Sequence, residues 1–209
     1  MGDLVRSDAA PTPELLHQIF NQQVQAANTT HRAQIASPLT ITLGDEFQGL
    51  VTTLAGAARI MRDMRLNLLA DGIECRFVIG LVDIKTPLNP DKAWNMMGPG
   101  LSRARQKLNE KSGTTQYRFS LPGDEMLETL LDALGAGLTA IESGWTDRQR
   151  DDIQFALHTP SAKELAAQRS VSIHNIYKIR SAGRYDAYRL QWQAIETALS
   201  AQDREKGLA

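Results

Sequence analysis

The spacing of apolar residues changes period several times along this chain, and each change marks an element. Leu15, Leu16, Ile19, Phe20 and Val24 recur at helical spacing after Thr12-Pro13, a capping residue followed by a proline suited to the first helical position; they predict a helix to about Asn28. Leu39-Thr40-Ile41-Thr42-Leu43 alternates with a period of two, as a strand does. Gly44-Asp45-Glu46 reads as a turn and Phe47 to Thr52 as the returning strand. Leu54, Ala57, Ile60, Met61, Met64 and Leu68 predict a second helix, ended by Asp71-Gly72. The nearly continuous run "CRFVIGLV", Cys75 to Val82, predicts a central strand buried on both faces. The loop "TPLNPDKAWNMMGPG" and a helix from about Leu101 to Glu110 follow. Tyr117, Phe119 and Leu121 alternate with polar residues, so a strand with one wet face is expected there. Met126, Leu127, Leu130, Leu131, Leu134, Leu138 and Ile141 then build a helix that Gly144 ends.

From Trp145 onward every signal is helical. Thr146-x-x-Gln149 and Ser161-x-x-Glu164 both fit a capping box, in which side chain and backbone at a helix start satisfy one another. The expected organisation is therefore an α+β domain over residues 1–144 and an all-helical domain over 145–209. Within the latter, "SAKELAAQRSVSIHNIYKI" has the grammar of a helix-turn-helix. Ala166 sits where two helices pack closely, and Val171, Ile176 and Ile179 supply apolar contacts. Ser172 is placed to cap the second helix. Ser172, His174, Asn175, Tyr177 and Lys178 are the candidate DNA-binding residues, with Ile173 exposed beside them. Ser170 replaces the glycine usual at such a turn, and Arg169 takes a place usually apolar. A helical hairpin without a DNA role is the alternative. Tyr185, Tyr188, Trp192, Ile195 and Leu199 form a 3-4-3-4 stripe, expected to pack against its own domain, with a homodimer as the second option.

Composition narrows the class. The 209 residues carry a net charge of −1, and a single cysteine, Cys75, excludes an internal disulfide framework or a cysteine-rich zinc site. His17, His31, His158 and His174 lack metal-ligand spacing. No apolar run approaches the ~20 residues that span a bilayer. A reducing compartment, the cytoplasm, and no membrane partner are expected. Charge is uneven: residues 1–144 hold 13 basic against 16 acidic side chains, net −3, and residues 145–209 hold 10 against 8, net +2. From Lys163 to Arg189 six basic residues face two acidic ones, a modest excess of the kind that accompanies a solvated face or a phosphate contact.

The candidate chemistry of the first domain lies in two stretches. Asp45 and Glu46, on the predicted hairpin tip, with Asp3 in "MGDLVRS", are hard oxygen ligands of the kind that hold Mg²⁺ together with substrate phosphates. "GPGLSRAR" offers Gly98 and Gly100 for close backbone approach to a phosphate, a helix start with free N–H groups, and Arg103 and Arg105 for charge. Taken singly, each stretch reads more readily as a turn or a surface, and it is their order along one α/β domain that raises them.

"LTITLGDEFQGLV", with "GDLVRS" before it and "RFVIGL" and "GPGLSRARQKL" after it, resembles the SatD family of bacterial proteins over most of the chain. The order of motifs also resembles, distantly, class III nucleotidyl cyclase and GGDEF-type domains. That resemblance implies a ferredoxin-like βαββαβ palm binding a nucleoside triphosphate with metal ions. It would make Asp3 the first-strand metal aspartate, Asp45 the hairpin aspartate, and Arg105 the arginine on the phosphate. The helical position four residues before Arg105, asparagine in cyclases, is Leu101 here, which points to binding rather than cyclisation. A buried strand should run up to Asp3, yet only Met1 and Gly2 precede it, so the first strand is expected to be missing or truncated. The leading expectation is a DNA-binding transcriptional regulator with a nucleotide-sensing domain. The rivals are a Mg²⁺-dependent nucleotidyl transferase or cyclase with a helical assembly tail, and a palm serving only dimerisation.

Overall fold

The computed structural model describes residues 1–5, 12–110, 113, 115–159 and 161–208. Its order is β1 (Gly2–Leu4), α1 (Pro13–Thr30), β2 (Ile35–Ile41), β3 (Glu46–Val51), α2 (Leu54–Ala70), β4 (Cys75–Gly80), α3 (Leu101–Asn109), β5 (Tyr117–Ser120), α4 (Glu125–Ser143), α5 (Asp147–His158), α6 (Ala162–Gln168), α7 (Ile173–Ala182) and α8 (Tyr185–Glu205). The protein is thus α+β, with a helical C-terminal region. Its five strands form one sheet in the order β2-β3-β1-β4-β5. β1, three residues long, lies between β3 and β4 and is antiparallel to both; β2 is antiparallel to β3, and β5 runs parallel to β4. The outer strand β2 carries Pro38 and two register shifts, features that blunt a free sheet edge.

Strand parity divides the molecule. Phe47, Phe77, Ile79, Tyr117 and Phe119 point to one face and join Phe20, Val24, Met61, Met64, Leu131 and Leu138 from α1, α2 and α4 in the main core. Val78 points the other way, into a small cluster with Ala104 and Leu108 of α3, against which Met1 packs. The second face is therefore covered by α3 over β4 and β5. That cover corrects the expected wet face of β5: Ser120 is fully buried, and Arg118 is half-buried and donates to the Lys107 carbonyl. On α4, Met126 and Leu130 are exposed, contrary to the stripe read from sequence. They fall on the ridge one residue ahead of the buried or half-buried Leu127, Leu131, Leu134 and Leu138, and only one ridge can face β5.

The main core continues past Gly144 without a break. Ile153, Leu165, Ile176 and the whole α8 stripe (Tyr185, Tyr188, Trp192, Ile195, Leu199) belong to it. Trp192 meets Tyr117 of β5 edge-to-face at 5.4 Å between centroids, and Tyr188 packs on Trp145 at 4.9 Å. The stripe is spent inside the chain, against α2 and α4. One capping signal is realised in full and the other in part. Thr146 and Gln149 form the full reciprocal box, while Ser161 accepts from the Glu164 N–H alone at 3.3 Å. Thr12 makes no side-chain cap, so Pro13 alone marks the start of α1.

Candidate functional site

Asp3 and Glu46 are direct cross-strand partners on β1 and β3, and Arg76 stands opposite Asp3 on β4. Asp3 is buried and ion-paired with Arg76 Nε at 3.4 Å. Glu46 Oε2 accepts from Arg105 Nη1 at 2.9 Å, and Arg105 Nη2 donates to Gln48 Oε1 at 3.0 Å. The second sheet face therefore carries two adjacent carboxylates on neighbouring strands, each held by a guanidinium. Asp45 occupies the turn after Gly44, whose φ of +73° suits glycine. Its carbonyl accepts from Leu4 N–H at 2.9 Å and so fixes β1 against the hairpin. Among the described residues, no three His, Cys, Asp or Glu side chains gather as a metal-binding group.

Beside Arg105 opens a cavity of about 290 Å³, lined by Met1, Gln48, Leu50, Met96, Leu101 and Ser102 among others. Its size is at the small end of ligand pockets. The wall on the β2 side is the segment between β4 and α3, which the sheet pins at three points. Ser37 Oγ donates to the Asn89 carbonyl at 2.6 Å, Ala93 N–H donates to Thr40 Oγ1 at 3.0 Å, and Gln48 donates to the Ala93 carbonyl. Gly98 and Gly100 have a local reason to be glycine. A Cβ at Gly98 would stand 1.9 Å from the Asp83 carbonyl oxygen, and one at Gly100 would stand 2.4 Å from that of Leu81. Pro99 and Met97 carbonyls accept from Asp83 and Lys85 N–H groups, so this stretch runs back along the end of β4. Arg103 points away from the cavity: its Nη2 contacts both Glu128 oxygens at 3.0 Å, tying α3 to α4. Of the "GPGLSRAR" residues, Arg105 lines the cavity, as do Leu101 and Ser102.

The second candidate region is the α6–α7 pair. Ser170 sits in the turn with φ +52°, the left-handed region where glycine is usual. Ser172 Oγ accepts from Asn175 N–H at 3.2 Å and caps α7. Ile176 is buried and Ala166 packs under it in the same core. His174, Tyr177, Lys178 and Ser181, at i, i+3, i+4 and i+7, are exposed on one face; Asn175 is half-buried. Arg169 replaces an apolar residue by a different contact. It ion-pairs with Asp152 of α5 at 2.5 Å and lies over the Phe155 ring at 4.4 Å. Arg180 lies over Tyr185 at 4.5 Å. Part of the local basic excess is thus internal bracing, and Lys163, Lys178, Arg184 and Arg189 remain on the surface.

Sequence reasoning missed a buried polar centre under these elements. Arg65 on α2 donates from Nε to Glu142 of α4 at 2.9 Å and also pairs with Glu74 at 2.8 Å. The Tyr188 hydroxyl donates to Glu142 at 2.8 Å, and that of Tyr117 donates to the same carboxylate. Burial first, and the Glu142 charge second, push both tyrosine hydroxyls well above their ordinary range. No helix among the described residues is long and apolar enough to cross a membrane. A family model described as SatD family matches residues 1–187. No curated protein and no solved structure matches the chain.

Proposed function

The chain belongs to the SatD family, and from that premise and the two candidate regions we propose that it is a cytoplasmic DNA-binding transcriptional regulator whose α+β part binds a nucleotide. The observation that carries the reading is the surface of α7. A capped helix, anchored from behind by Ile176, presents His174, Tyr177 and Lys178 together to solvent. Side chains of these types reach base edges and phosphates when the N-terminal part of a second helix enters a major groove. The left-handed turn at Ser170 supports the helix-turn-helix assignment.

The nucleotide reading rests on the second sheet face. The order β2-β3-β1-β4, antiparallel throughout, supports a ferredoxin-like palm. Arg105 donates from Nη1 to Glu46 and from Nη2 to Gln48, a two-pronged arrangement of the kind with which a guanidinium takes a phosphate. A nucleoside triphosphate entering the cavity would take Arg105 over and release Glu46, beside Asp3, to a Mg²⁺ ion. The adjacency of Asp3 and Glu46 also favours, as the second reading, a Mg²⁺-dependent nucleotidyl transferase over a palm with no ligand.

Two measurements test this. Binding of random duplex DNA should be seen at about 50 mM salt, and Lys178→Ala should lower the salt slope by about 0.9 if Lys178 neutralises one phosphate. Substituting His174 should shift sequence preference more than affinity. A nucleoside triphosphate with Mg²⁺ at about 100 times its Kd should stabilise the fold by about 2.7 kcal/mol, and Arg105→Ala should remove that gain. No duplex binding with or without nucleotide overturns the regulator reading. No nucleotide stabilisation overturns the sensing one.

A further inference from the structure

Although its aromatic stripe is buried, α8 joins α4 in leaving a second apolar face on the surface. The two helices lie antiparallel. Gln202 Nε2 donates to Asp124 at 2.7 Å at one end, the Tyr188 hydroxyl donates to Glu142 at 2.8 Å at the other, and Gln191 lies against Gly137 between them. That register sets Ala133 beside Ala194. On the outer side of α4, Met126, Leu130, Ala133, Gly137 and Ala140 follow one another at 4-3-4-3 spacing, a straight seam along the helix. Every exposed residue from Met126 to Ala140 is uncharged. The adjoining flank of α8 runs Ala187, Leu190, Ala194, Ala198 and Ala201, again without a charge. Asp186 and Arg189 fall toward the opposite flank, the one on which Glu196 meets Arg62 of α2. Met126, Leu130 and Leu190 are 77, 57 and 55% exposed, so the face is apolar at its surface and not only in its small residues.

We propose that this face is the interface of a symmetric homodimer, and that its occupant is a second copy of the chain. Three features select a copy over another partner. First, a face without charge gives a nucleic acid or a charged peptide nothing to pair with. Second, the face is self-complementary. Stacked on itself about a two-fold axis running past Ala133 and Ala194, α4 meets the partner's α4 antiparallel, so that Met126 falls on Ala140 and Leu130 on Gly137. On α8 the same axis puts Leu190 on Ala198 and Ala187 on Ala201. Each large side chain thus finds a small one, and the alanines at the centre let the helices approach closely. Third, the size fits. Helices of 19 and 21 residues packed side by side offer a face about 30 Å long and ~20 Å wide. On the order of 600 Å² per copy lies at the lower end of specific interfaces, which suits a reversible dimer. This interface requires neither DNA nor nucleotide, so it stands or falls apart from the binding readings above.

Sedimentation velocity on the full chain tests the dimer: between about 1 and about 100 μM the average mass should climb from that of a monomer toward twice that value. Leu130→Glu places a charge on both sides of the seam and should weaken self-association by about a hundredfold, with far-UV dichroism unchanged. Leu15→Glu, at a comparably exposed leucine on α1, should leave self-association as it is. Cross-linking reads the register. Ala133→Cys lies against its own copy and should give a disulfide-linked dimer under mild oxidation, since Cys75 is buried. Ala187→Cys should cross-link only when Ala201→Cys is added. A monomer at every concentration would overturn the proposal and leave the face to a different protein. Self-association that Leu130→Glu leaves intact would overturn it as well, and so would cross-linking through Ala187→Cys alone in place of Ala133→Cys.

Discussion

Glu142 shows how one buried carboxylate can organise several elements. It is almost fully buried and accepts from Arg65, Tyr117 and Tyr188, which come from α2, β5 and α8. Burial alone would lower the Arg65 pKa, but Glu142, Tyr117 and Glu74 outweigh it and raise it, so the guanidinium stays charged. Glu142→Leu would leave that buried charge with the half-exposed Glu74 and the Cys75 carbonyl, and we predict a loss of about 3–5 kcal/mol in urea unfolding. Glu128 offers a pH test. Burial would raise its pKa, but bonds from Lys107, the Leu121 N–H and Arg103 outweigh that and hold it below the ordinary carboxylate range. A depressed folded pKa contributes stability above the unfolded value of about 4.3, and the contribution is lost as pH falls through the folded pKa. Stability should therefore decline on the acid side below about pH 4, and Glu128→Gln should flatten that part of the curve. None of these contacts shows in the sequence. Arg65 stands among apolar helix positions with its partner 77 residues away, and local periodicity carries no information about such a pair.

Elements were far more legible than contacts, because their period depends on neighbours a few residues apart. The helices ended near the expected glycines and caps, and the strand from Cys75 ended two residues early, at Gly80. What failed was the choice of face. The leucine-rich α4 offers two ridges, and only the approach of β5 decides between them. The glycines of "GPGLSRAR" likewise have a packing reason that local sequence does not carry: the carbonyls of Asp83 and Leu81, just past β4, lie against them. At Ser170 the sequence reading and the structure meet: a departure from glycine was visible, and the turn does hold a left-handed residue. Ser170→Gly should therefore relieve strain and stabilise the protein by up to about 1 kcal/mol. Ser170→Val should cost at least that much, and thermal unfolding of the three proteins checks the order. Because the turn sets the angle between α6 and α7, the same pair separates stability from recognition: an unchanged fold with altered duplex affinity would place the turn in the DNA contact.

At the scale of the whole molecule, the last helix is a brace between the sheet's helices. α8 lies along α2 and α4 with Tyr188, Trp192, Ile195 and Leu199 buried, and its far end reaches back to the start of α2. Asp203 accepts from Leu54 N–H at 2.7 Å and from Ala55 N–H at 3.0 Å, while Thr53 accepts from Gly56 N–H. A residue 149 positions away thus caps the first turn of α2, where a negative charge also complements the helix dipole. Arg62–Glu196 and Gln202–Asp124 add polar ties along the same seam. A core shared in this way has no plane along which the helical region could melt first. We therefore predict a single cooperative thermal transition, with tryptophan fluorescence (Trp145, Trp192) and far-UV dichroism giving the same midpoint. Asp203→Ala exposes two buried N–H groups at once and should cost about 2–4 kcal/mol. It should lower that common midpoint while keeping the two probes coincident, since the cap and the α8 stripe lie in the same core. Two separated transitions, with the tryptophan signal lost first, would mean that the helices fold as an independent unit and that α8 only rests on α2.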